Sequence, residues 1–83
     1  MKRHDGMTLT IHVAQTIRSV VNDLPKTIIV EYTESKTLRQ LAVDVGVPPN
    51  LIVFGMINGV KKDLNDIIAA NAEVHFFGTM SGG

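Results

Sequence analysis

The sharpest chemical feature of the sequence is its closing pair, Gly82-Gly83. With glycine near 7% of average usage, such a pair falls at a given place roughly once in two hundred chains. A terminal diglycine is the slimmest substrate a chain can offer. Lacking Cβ atoms, it can be drawn through a narrow enzyme channel in conformations closed to other residues. Its carboxylate is then open to activation without steric hindrance. A frayed end is the plainer alternative.

The remaining reactive types are sparse. His12 and His75 occupy the non-apolar phase of two strand-like segments. If those strands are neighbours, the imidazoles lie side by side. Two ligands without a third donor make a poor metal site, so the expectation is exposed histidines and no metal. Asp63 and Asp66 are a spaced pair, but capping a turn or lining a solvated face explains them far better than acid–base chemistry does. Ser19, Ser35 and Ser81 lie in no nucleophile-elbow pattern. The glycines Gly55 and Gly59 fall in a strand and a turn, not in a phosphate-binding loop. There is no cysteine, which removes disulfides, thiolate metal ligands and cysteine nucleophiles. Catalysis by the chain itself is therefore not expected. Phe77 carries more information. Val74 and Phe76 use the core-facing phase, so Phe77, in phase with His75, should point away from the core. A large aromatic there is a candidate partner contact, with folding over the core edge as the alternative.

The elements that must position these residues follow from periodicity. Leu9, Ile11 and Val13 alternate with Thr8, Thr10 and His12, the signature of a half-buried strand. Residues 14–21 place Ala14, Ile17, Val20 and Val21 at helical spacing, predicting a short amphipathic helix or irregular turns. Residues 27–32 (TIIVEY) read as a strand. Thr37 and Gln40 form a capping-box pattern ahead of the stripe Leu38, Leu41, Ala42, Val45. Gly46 and Pro48-Pro49 end that helix. Residues 51–57 (LIVFGMI) predict an apolar strand, Asn58-Gly59 a hairpin and residues 60–62 its return. Asp63 is expected to cap a helical turn reaching Ile67 or Ile68, and residues 73–77 to form the last strand.

Eighty-three residues allow one domain. Hydrophobic residues at 45% and charged residues at 19% describe a globular chain. Eight basic residues balance eight acidic ones, which argues against a nucleic-acid or polybasic membrane partner. No apolar run reaches the eighteen or so residues that span a bilayer. The start lacks a secretory pattern, so a cytoplasmic protein is expected. The expected organisation is a loose extension over 1–7, one domain over 8–77 and a flexible tail over 78–83. The strands 8–13 and 73–77 should form the central pair. The expected fold is α+β, a ubiquitin-like β-grasp: a mixed sheet of four to five strands with one main helix packed on one face.

From about Thr8 to Gly83 the chain resembles the MoaD/ThiS family of small sulfur-carrier proteins, and four stretches carry the likeness. VAQTIRSVV resembles the "FAxxRE" region, and TLRQLAVDVGV the main helix. MINGVKKDL resembles the "VNG-hairpin" block. EVHFFGTMSGG is similar to the closing "EVxFFPPVxGG" block, with Phe76 and Phe77 at the double aromatic, Met80 at the apolar tail position and Gly82-Gly83 at the end. Two departures stand out: Gly78-Thr79 replaces the diproline, and Ala70-Asn71-Ala72 replaces the usual "DGD" turn.

The resemblance implies that Gly83 is the reacting residue, through its carboxylate. Gly82, Ser81 and Met80 would be the tail that reaches the partner, and Phe77 and His75 the docking contacts. An enzyme resembling the ubiquitin-activating enzymes would use ATP and magnesium to adenylate Gly83. A sulfur donor would then convert it to a thiocarboxylate. The acceptor would be a MoaE-like synthase subunit or a thiazole synthase, in molybdopterin, tungstopterin or thiamin formation. The chain would bind no cofactor of its own. A ubiquitin-like modifier joined through Gly83 and a non-catalytic interaction module are the alternatives.

Overall fold

The computed structural model of the chain describes residues 7–78. Residues 1–6 of the expected extension and residues 79–83 of the expected tail lie outside them. The first strand, β1 (Met7–Val13), takes in Met7, one residue earlier than expected. Its alternation buries Leu9, Ile11 and Val13. A single helical turn follows, α1 (Gln15–Arg18), which buries Ile17. Because it stops at Arg18, Val20 does not complete the expected apolar stripe and is 65% exposed. The second strand, β2 (Thr27–Tyr32), runs back antiparallel to β1, pairing Ile11 with Ile28 and Leu9 with Val30.

The main helix, α2 (Leu38–Val45), begins as its sequence dictates. The Gln40 N–H donates to Thr37 Oγ1 at 3.1 Å, and the Thr37 N–H donates to Gln40 Oε1 at 2.9 Å. Gly46 ends it at φ 89°, the left-handed position that costs glycine least. Leu38, Leu41 and Ala42 are fully buried on its inner face. Pro49–Leu51 form a 3-10 turn that leads into β3 (Ile52–Ile57). Asn58 and Gly59, at φ 52° and 84°, turn the chain into β4 (Val60–Lys62), as a two-residue hairpin requires.

Residues 63–68 form a turn instead of the expected helical turn. Asp63 Oδ2 accepts from the Asn65 N–H at 3.1 Å, and Asp66 Oδ2 from the Asp63 N–H at 2.8 Å. Both carboxylates are thus committed to main-chain donors, as expected of turn caps. The segment is drawn out of helical geometry by α2. The first N–H groups of a helix have no partner within it. Here Leu38 and Arg39 donate to the carbonyls of Asp66 and Leu64, at 3.1 and 2.9 Å.

The last strand, β5 (Glu73–Gly78), takes in Gly78, which was expected in the tail. It inserts into the middle of a five-stranded sheet of order β2-β1-β5-β3-β4, parallel to β1 and antiparallel to β3. Val53 is the extra residue of a bulge, since Ile52 faces Gly78 while Phe54 faces Phe77. The bulge lets Ile52 share the buried side with Gly55 and Ile57. The result is a small α+β domain: one mixed five-stranded sheet with one main helix. Leu9, Ile11, Val74 and Phe76 of the sheet and Leu38 and Leu41 of the helix form the centre of the core. Among the described residues no polar side chain is buried in it, and no helix is long and apolar enough to cross a membrane.

Candidate functional site

The sheet face opposite the core carries the residues with chemical potential. The parallel register sets His12 directly opposite His75. Their rings stack at 4.4 Å between centroids, as the shared phase of the two strands anticipates. Two residues along β5, Phe77 returns to the same face. Its ring lies 6.0 Å from that of His75 and 4.9 Å from that of Phe54, its register partner on β3. Lys61 Nζ closes the row 4.9 Å over the Phe54 ring. Four rings and one cation therefore cross the sheet from β1 to β4. Stacked pairs of this kind contribute about 0.5–1.5 kcal/mol each, and an exposed cation over a ring about 0.5–1 kcal/mol.

Polar groups gather at the histidine end of the row. Glu73 Oε2 lies 2.7 Å from His12 Nε2. Thr27, opposite His12 on β2, sets its hydroxyl 3.5 Å from His12 Nδ1. The ligating atoms of His12, Glu73 and His75 all lie within 4.8 Å of one another. A cleft of about 240 Å³ opens beside them, its lining including His12, Arg18, Lys26, His75 and Phe77. It sits where β1 and β5 end, the side of the domain from which the chain runs on past Gly78.

A second polar cluster lies at the other side of the molecule. Tyr32 donates its hydroxyl to Asp44 Oδ2 at 3.1 Å, and Lys36 Nζ meets the same oxygen at 2.9 Å. Lys36 also sits 4.6 Å over the Tyr32 ring. Partial burial, reinforced by the hydrogen bond to Asp44 and its charge, pushes the Tyr32 phenol up to about 12. The Lys36 hydrogen bond holds the Asp44 carboxyl below its ordinary value.

Of the expected site residues, His75 and Phe77 are brought together, half-buried, on the open face. Gly83, Gly82, Ser81 and Met80 lie outside the described residues. The two histidines are not alone, because a carboxylate oxygen of Glu73 lies within 4.8 Å of a ring nitrogen of each. Glu73 shares a face with His75 through their spacing of two, but only the parallel register carries it to His12. Phe54 and Lys61 were likewise missed, since their place in the row depends on the registers that pair Phe54 with Phe77 and Lys61 with Met56. No protein-family model, curated protein or solved structure matches the chain.

Proposed function

We propose that this protein is a sulfur carrier of ubiquitin-like β-grasp fold, resembling the MoaD/ThiS family, with Gly83 as the reacting residue. One observation carries the reading: the closing block EVHFFGTMSGG, whose first six residues are β5, the strand at the middle of the sheet. The same strand carries Phe77 and His75, which form the centre of the exposed ring row that serves as the docking surface.

The chemistry belongs to the partner. A carboxylate is a poor electrophile. Its oxygen bonds to the α-phosphorus of ATP, and pyrophosphate leaves. Sulfur at the sulfide level, delivered as hydrosulfide, then attacks the activated carbonyl carbon and displaces AMP, leaving a thiocarboxylate and releasing a proton. The sulfur rides on the Gly83 carbonyl carbon, so the carrier needs no cysteine, and it has none. Because Gly78 belongs to β5, five residues run on from the strand and could span at most roughly 18 Å if extended. That is enough for Gly83 to enter an active site while the domain docks outside. The acceptor would be a molybdopterin, tungstopterin or thiamin synthase component.

Intact-mass measurement on protein isolated from its native host tests the reading. The expected result is a chain ending at Gly83, part of it heavier by the difference between one sulfur and one oxygen atom. Branched diglycine on lysines of other proteins would make the chain a modifier instead. A chain running past Gly83 would overturn both.

A further inference from the structure

We propose that His12, Glu73 and His75 form a binding site for a divalent transition-metal ion of the zinc class. This is independent of the carrier reading, because all three residues lie on β1 and β5 and none in the tail. Two imidazoles and one carboxylate are a donor set that zinc, nickel and copper accept. Calcium and magnesium prefer all-oxygen sets, which this face does not offer.

The geometry needs little change to close on an ion. Ligands about 2.1 Å from a tetrahedral metal sit roughly 3.4 Å from one another. Here His12 Nε2 and Glu73 Oε2 are 2.7 Å apart, and the ligating atoms of the three residues all lie within 4.8 Å of one another. Side-chain rotation suffices, because the backbone is held by the parallel ladder that pairs His12 with His75 and Thr10 with Glu73. A site built on paired central strands is held more closely than one built on loops.

An outer contact is also in place. A metal-bound histidine usually donates its other ring N–H to a neighbouring acceptor, which fixes the ring. With His12 Nε2 on the ion, Nδ1–H would point at Thr27 Oγ1, 3.5 Å away. On the other side, Phe77 stacks at 12° to the His75 ring and limits its rotation. The side chains of His12 and Glu73 are 31% and 57% exposed. The remaining coordination positions would therefore face solvent, open to water or a partner's side chain.

Calorimetric titration of the untagged full chain with zinc chloride tests this, with magnesium chloride as the counter-probe. One zinc per chain should bind in the micromolar range, and magnesium should not. His12→Ala and His75→Ala should each weaken zinc binding more than tenfold, and Glu73→Gln should weaken it less. His4→Ala, which alters the remaining histidine, should change nothing. In the unsubstituted chain zinc should move the imidazole NMR signals of His12 and His75, a readout that does not depend on any variant folding. Absence of binding at millimolar zinc, loss of binding in His4→Ala, or unmoved His12 and His75 signals would overturn the proposal.

Discussion

Gly78 ends β5 with its backbone pressed against Ile17: a Cβ placed on it would lie 2.8 Å from Ile17 Cγ1 and 3.0 Å from the Leu51 carbonyl oxygen. The position that carries the first proline in the resembling family thus has no room for a side chain here. Ile17 is 1% exposed and Leu51 contributes main chain, so neither can swing aside freely. Gly78→Ala should destabilise the domain by about 1–3 kcal/mol, the range for overpacking a filled site. Chemical denaturation would measure it. An unchanged midpoint would show that α1 moves away without cost.

Phe76 and Phe77 are neighbours with opposite duties. Phe76 is fully buried in the core, whereas Phe77 stacks on Phe54 across the open face. Phe76→Ala should cost about 3–5 kcal/mol of stability, as for other core phenylalanines. Phe77→Ala should cost about 1 kcal/mol, the scale of the lost stack. If the ring row is the docking surface, Phe77→Ala should also weaken partner binding by about 1–3 kcal/mol. Parallel denaturation and binding measurements on the two variants separate the roles. Equal stability losses would place Phe77 in the core.

Tyr32 is the one tyrosine in a chain without tryptophan, so tyrosinate absorbance reports on it alone. Its phenol is pushed up to about 12, from an ordinary value near 10. Between those values the folded chain keeps a proton that the unfolded chain has lost. The stability this contributes is therefore complete below the ordinary value and declines as pH rises towards 12. Asp44→Asn should lower the midpoint without restoring the ordinary value, because burial is the first cause and survives the change. In the unsubstituted chain, an absorbance midpoint at the ordinary value would show that neither the partial burial of the Tyr32 phenol nor its contact with Asp44 persists in solution.

The elements legible in the sequence are those whose signal is local. Alternation in Leu9–Val13, the Thr37–Gln40 capping box and the Asn58-Gly59 turn each reappear because neighbouring residues suffice to specify them. The side-by-side placement of His12 and His75 was also legible, once strands 8–13 and 73–77 were taken as a central pair. What was not legible depends on partners far along the chain. Residues 63–68 look helical until the free N–H groups of Leu38 and Arg39 claim their carbonyls. Val53 looks like an ordinary strand residue until the bulge turns it outward, 56% exposed. Glu73 comes within reach of His12 only through the parallel register that sets it opposite Thr10, diagonal to His12.

The central claim, that the Gly83 carboxylate is the reacting group, is tested most directly by ATP–pyrophosphate exchange with the adenylating enzyme of the native host. One alanine added after Gly83 moves the carboxylate by roughly 3.5 Å and sets a methyl group where only glycine is expected to fit. Misplacement of a reacting atom by about 1 Å can cost on the order of a hundredfold in rate. Exchange should therefore collapse in the extended chain and in a chain lacking Gly83, while thermal unfolding of both stays unchanged. Exchange at the native rate with either variant would contradict the account.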